Sequence, residues 1–135
     1  MSRKVEDLVS TMREKFRIFA GRMAEIGIPF MLTRTRCTKA EQAELYAQGR
    51  TKPGLIVTWT LKSRHIDGEA FDIAILNDGK PIWDTKISVN ENDVPDYLEA
   101  GQVGESIGLE WGGRFRNSKG RPRPDAAHFQ LSKGG

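Results

Sequence analysis

The sequence holds 135 residues, 38% hydrophobic and 29% charged, a size and balance suited to one domain that buries roughly two-thirds of its unfolded surface. Its single cysteine excludes an internal disulfide, and no stretch approaches the ~18 apolar residues of a membrane span. The formal charge of +3 is mild, favouring anionic surfaces through an attraction that falls with salt and requiring no nucleic-acid partner.

Val5, Leu8, Val9, Met12, Phe16, Phe19, Ala20, Met23 and Ile26 recur at i, i+3, i+4 and i+7, which predicts one amphipathic helix over residues 4–26 with its apolar stripe in the core. Gly27 is its natural stop. Ile28 to Thr33 reads as a first strand. Thr38-Lys39-Ala40-Glu41 is a capping box that starts a second helix, running to about Gln48 and ending at Gly49. The turn Arg50 to Gly54 leads to a short extended segment, Leu55 to Thr58, and then to an irregular stretch around His65. Ala70 to Leu76 predicts a central strand with one acid, Asp72, in its middle. Asn77-Asp78-Gly79-Lys80 signals a hairpin returning through Pro81 to Trp83. A third helix is expected from Asp93 to about Ser106, with Gly101 and Gly104 blurring its bounds. Ala127 to Leu131 closes the α+β outline as a short strand.

The chain has two histidines, and each sits in a compact motif: Ser63 to Asp72 around His65, and Asp125 to Phe129 around His128. His65, Asp72 and His128 supply two nitrogens and a carboxylate, the ligand set of a hydrolytic zinc that keeps its fourth position open. A carboxylate inside a central strand needs a cation, either a metal or an arginine. Asp125 follows Pro124, whose fixed φ argues for a turn, so Asp125 and His128 are free of strand alternation and can converge. Asp125 is then spare for proton transfer. Asp67 and Glu69 read as solvated loop residues and Cys37 as a small buried side chain. The tryptophans Trp59, Trp83 and Trp111 read as core or cleft wall, with Trp111 favoured for a pocket wall because glycines follow it. The basic stretch Arg114 to Arg123 reads as a solvated loop rimming a cleft.

The pattern Ser63, His65, Gly68, Ala70, Asp72 resembles the first signature of the zinc D-Ala-D-Ala carboxypeptidase and L-alanyl-D-glutamate peptidase family. Asp125 and His128 resemble the second. Leu45 to Thr51, Pro53-Gly54, Val57-Thr58 and Trp111 to Gly113 resemble its short bacteriophage endolysin branch, so that the likeness covers roughly residues 28–131.

That resemblance implies a small antiparallel sheet with flanking helices, hedgehog/D-Ala-D-Ala-peptidase-like. One Zn2+ would be held by His65, Asp72 and His128, with Asp125 as general base and Ser63 polarising the substrate. Members commonly carry an arginine five residues before the glutamine of the Glu41-Gln42 pair. Here that position is Cys37, and Arg36 or Arg34 must supply the guanidinium. Arg36 is the nearer candidate, although a one-residue slip in a strand points a side chain to the opposite face.

The implied activity is hydrolysis of the L-alanyl-D-glutamate bond in the peptidoglycan stem peptide. A D-Ala-D-Ala carboxypeptidase or dipeptidase, or a non-catalytic metal-stabilised wall-binding module, are the alternatives. A closed structural zinc would call for a fourth protein ligand. Glu6 and Asp7 interrupt any apolar run that a secretory signal would need, so synthesis in the cytoplasm and delivery to the wall by a separate pore-forming or export factor are expected, without membrane insertion.

Overall fold

In the computed structural model, which describes residues 1–132, the predicted helix over residues 4–26 divides in two. A 3-10 turn, Val5–Asp7, is followed by extended backbone at Leu8 and Val9 before α1, Ser10–Glu25. The break has a physical cause. Leu8 is buried, and the Val9 N–H, which a continuous helix would use internally, donates to the Gly68 carbonyl at 3.0 Å. Arg13 Nη1 donates to the freed Leu8 carbonyl at 2.7 Å. At its other end α1 stops as expected: Gly27 has φ +77°, with Gly27 N–H donating to Ala24 and Ile28 N–H to Met23, a Schellman motif.

The capping box forms as read from sequence and opens α2, Lys39–Ala47. Thr38 Oγ1 accepts from Glu41 N–H at 3.1 Å, while Glu41 Oε1 accepts from Thr38 N–H at 2.8 Å. The expected extended segment at residues 55–58 pairs with no strand and is an exposed loop, with Leu55 85% accessible. α3 spans Asp96–Ser106 and starts later than expected because Glu91 and Asp93 adopt positive φ and Pro95 biases Val94 away from helix.

Among the described residues five strands form one antiparallel sheet: β1 Phe30–Arg34, β2 Ala70–Asn77, β3 Lys80–Ile82, β4 Leu109–Trp111 and β5 His128–Leu131. Their order is β1-β2-β5-β4, with β3 paired to β2 through the hairpin, where Asp78 and Gly79 both have positive φ. Side chains alternate between faces along β2. Phe71, Ile73 and Ile75 turn to the core, where Phe19 of α1 lies 5.4 Å from Phe71 and 5.0 Å from Phe129, and those two rings stack at 5.2 Å. Asp72 alternates to the other face.

The pairing of β1 with β2 is not regular. Leu32 is opposite Ile73 but Arg34 is opposite Asp72, so two residues of β1 stand against one of β2, a β-bulge. Unbroken alternation would put Arg34 on Leu32's core face; the bulge turns it to the face of Asp72.

Gly101 and Gly104 are contact points of α3 rather than weak spots. A Cβ at Gly101 would fall 2.2 Å from the Trp111 ring, and one at Gly104 2.6 Å from Phe129. Gly101→Ala should therefore lower the melting temperature. Overpacking of up to about 3 kcal/mol exceeds the ~1 kcal/mol that alanine gains in helix propensity. Gly21→Ala, in α1 with nothing within 4 Å of the added methyl, should raise it. Equal shifts in a thermal melt would refute the packing role. Among the described residues no helix is long and apolar enough to cross a membrane.

Candidate active site

Asp72, in the middle of β2, is the cross-strand partner of His128, the first residue of β5. His65 reaches the same point from the turn before β2. His65 Nε2 lies 3.1 Å and His128 Nδ1 2.9 Å from Asp72 Oδ1, and the three ligand atoms fall within 4.8 Å of one another. The other nitrogen of each ring is committed. His65 Nδ1 sits 2.5 Å from the Thr35 carbonyl, which can only accept, so that nitrogen carries the proton. His128 Nε2 sits 2.9 Å from Gln130 Oε1, and Gln130 is oriented in turn by donating Nε2–H to Glu110 Oε2 at 2.9 Å.

With those tautomers, neutral His65 and His128 aim lone pairs at a carboxylate oxygen. Three electron-rich atoms brought together in a buried corner repel unless a cation, proton or metal, stands among them. The donor set thus fits a divalent ion, and the outer hydrogen bonds fit the arrangement that orients histidine ligands. The electrostatics agree. Burial would raise the Asp72 pKa, but in the absence of a metal protons on His128 and His65 take the cation's place, and their hydrogen bonds outweigh burial and hold the carboxyl well below its ordinary range. Burial would lower that of His128, but the Asp72 carboxylate outweighs it and raises it. A proton on His128 competes with any metal, so metal affinity falls with acid.

Asp125 stands on the turn leading into β5, with its N–H on the Gly112 carbonyl at 2.8 Å and its own carbonyl accepting from His128 N–H at 3.1 Å. The residue is exposed, yet desolvation of its carboxyl first, and the Asp72 charge second, push its pKa up. Gly112 permits the turn: a Cβ there would meet the Asp125 carbonyl at 2.3 Å.

A family profile described as D-alanyl-D-alanine carboxypeptidase matches residues 57–131, a span that includes all four of these residues. The chain belongs to that family. It is 36% identical over 119 residues to the peptidoglycan L-alanyl-D-glutamate endopeptidase CwlK of Bacillus subtilis (strain 168), covering 86% of this chain and 71% of that protein. Its fold is similar to the crystal structure of the Serratia marcescens L-Ala D-Glu endopeptidase ChiX, with a TM-score of 0.65 and 21% identity over 95% of this chain and 83% of that one.

In this member of the carboxypeptidase family, His65, Asp72, His128 and Asp125 come together, and three other candidates lie elsewhere. Ser63 caps its own turn, Oγ accepting from His65 N–H at 3.2 Å. Trp111 is a core residue at 8% exposure, not a pocket wall; its Nε1–H donates to the Ala126 carbonyl at 2.8 Å and so holds the turn between Asp125 and His128. Arg36 is exposed and donates to the Asp67 carbonyl at 3.2 Å, outside the row formed by Asp72 and His128. Arg34 Nη2 instead lies 3.2 Å from Cys37 Sγ and 2.5 Å from Gln42 Oε1. Trp59 is 62% exposed, with the Arg123 guanidinium 4.9 Å from its ring centroid. Gln130 and Glu110 went unnoticed in the sequence. The only signal was the i, i+2 spacing of Gln130 from His128, which puts both on one face of a strand.

Proposed function

We propose that the chain is a zinc-dependent peptidase of bacterial peptidoglycan that hydrolyses the L-alanyl-D-glutamate bond of the stem peptide, in the manner of a bacteriophage endolysin. The reading is carried by one observation: the lone pairs of His65 Nε2 and His128 Nδ1 converge on Asp72, while Asp125 stands beside them with a raised pKa and no part in that ligand set. CwlK, with its printed activity on that bond, supports the substrate.

Zinc, when bound, lowers the pKa of water to about 7 and polarises a carbonyl oxygen. The chain supplies the rest. Thr35 and Gln130 lock the tautomers of the two rings, so that neither turns its proton toward the reacting groups. Asp125 takes the proton of the attacking water and returns it to the departing amine, a transfer worth about 10²–10⁴-fold in rate. Its raised pKa suits both halves of that task, because a carboxyl far below working pH is a poor acid.

In this reading the chain is one zinc peptidase domain with its catalytic core at residues 28–131. It acts on the cell wall, brought there by a separate pore-forming or export factor, and binds neither nucleic acid nor membrane. Purified peptidoglycan digested with zinc-loaded protein should show new D-glutamate amino termini by mass spectrometry, and a chelator should abolish them reversibly. Release of D-alanine would replace this reading with the carboxypeptidase, and an intact wall would leave a binding module.

A further inference from the structure

Five of the nine large hydrophobic side chains that stand exposed among the described residues lie in one short stretch: Leu55, Ile56, Val57, Trp59 and Leu61. A contiguous apolar surface of that kind marks a place where something docks. The segment is also held the wrong way round for a core element. Buried Gln42 donates through Nε2 to the Thr60 carbonyl at 2.7 Å and to Thr58 Oγ1 at 3.3 Å, so polar groups are anchored to the protein and apolar side chains are left in water.

Two sets of contacts place this surface beside the site. Gln42 Oε1 meets Arg34, the cross-strand partner of Asp72. From the other direction, Arg123, whose guanidinium lies 4.9 Å from the Trp59 ring centroid, donates its backbone N–H to the Phe115 carbonyl at 2.8 Å, and the Phe115 ring is 5.6 Å from that of His128. A second guanidinium braces the indole: that of Arg50, 3.8 Å from the Tyr46 ring, is 5.7 Å from the Trp59 ring. Among the described residues neither arginine has a carboxylate partner, and each guanidinium hydrogen-bonds one carbonyl, Arg50 that of Tyr46 and Arg123 that of Pro122. Most of the N–H donors of each remain open to a ligand.

An exposed aromatic plane flanked by open donors suits a pyranose ring, whose C–H face stacks on the indole while its hydroxyl and acetamido oxygens accept from the guanidinium groups. The substrate brings such a ring within reach. L-Alanine is the first residue of the stem and is joined through a lactyl group to the glycan. A sugar therefore lies within about 7 Å of the scissile carbonyl, two residue lengths of extended chain. We propose that Trp59, flanked by Arg50 and Arg123, is a glycan subsite: it stacks on the N-acetylated sugar that carries the stem peptide and makes the enzyme favour stems still attached to the glycan. The inference rests on the peptidase reading above.

The test compares kcat/KM of the zinc-loaded protein on two soluble substrates, a stem peptide still joined to its N-acetylglucosamine–N-acetylmuramic acid disaccharide and the same peptide N-acetylated on its L-alanine. Wild type should favour the first by about tenfold, the scale of one aromatic stack. Trp59→Leu keeps an apolar side chain but no ring, and should lose that preference with zinc content and melting temperature near wild type. Trp59→Phe keeps a plane and should retain most of it; equal losses in the two variants would overturn the stacking. A wild type without the preference, or a Trp59→Leu variant that keeps it, would overturn the glycan subsite alone. In that case sedimentation with phosphatidylglycerol vesicles, or self-association, that Trp59→Leu abolishes would give the surface to lipid or to a second copy. A wild type inactive on both substrates would overturn the peptidase reading and this proposal with it.

Discussion

Asp125→Asn is expected to lower cleavage of the stem peptide by about 10²–10⁴-fold while zinc content and melting temperature stay near wild type. The asparagine is nearly isosteric, and the backbone bonds that shape the turn, from Asp125 N–H to Gly112 and from His128 N–H to Asp125, are untouched. What disappears is the proton acceptor. The pH profile separates this from a steric effect. Burial and the Asp72 charge raise the Asp125 pKa, so its base form is present above that raised value and is lost as pH falls through it. The wild-type kcat/KM should therefore decline on the acid side at a pH above the ordinary carboxylate range, and the residual activity of the asparagine variant should not follow that limb. An unchanged limb in the variant would remove Asp125 from the mechanism.

Asp72→Asn should abolish activity through the metal and not through the fold. The wild-type carboxylate faces two imidazole lone pairs at 3.1 and 2.9 Å and needs a cation between. An asparagine amide can donate an N–H to one of those lone pairs, so the substitution replaces the missing cation with a hydrogen bond. The metal-free variant should melt no lower than the metal-free wild type. Its zinc affinity should fall by more than the 10–100-fold typical of an outer-shell partner. Wild type at a zinc concentration about 1,000 times Kd gains about 4 kcal/mol of stability, and the variant should gain none at the same concentration. Thermal melts with and without zinc decide it; a variant that zinc still stabilises as fully as wild type would exclude Asp72 from the ligand set.

What could be read in the sequence was read where chemistry and spacing coincide. The capping box of Thr38 and Glu41 needs only four residues, and Gly27 only one, so both helix limits were legible. His65, Asp72, Asp125 and His128 were legible as a group because two compact motifs carry all four. The rest depends on partners distant in the chain. Nothing in the apolar period of residues 4–26 reveals that Val9 gives its N–H to Gly68. The choice between Arg34 and Arg36 turns on a bulge defined only by how β1 meets β2. Trp111, followed by two glycines, looked like a pocket wall; Gly113 instead makes room for its ring, a Cβ there falling 2.3 Å from it, while Gly112 makes room for the Asp125 carbonyl.

The contact between Arg123 and Trp59 also gives the molecule a built-in optical probe. Trp59 belongs to the segment that runs into His65, and Arg123 to the one that runs into Asp125, so the ring joins the two approaches to the site. Trp111 is sealed in the core, and Trp83, 60% exposed, lies just past the β3 hairpin. A change in indole emission that vanishes in Trp59→Phe therefore reports whether those two segments separate when a stem peptide enters.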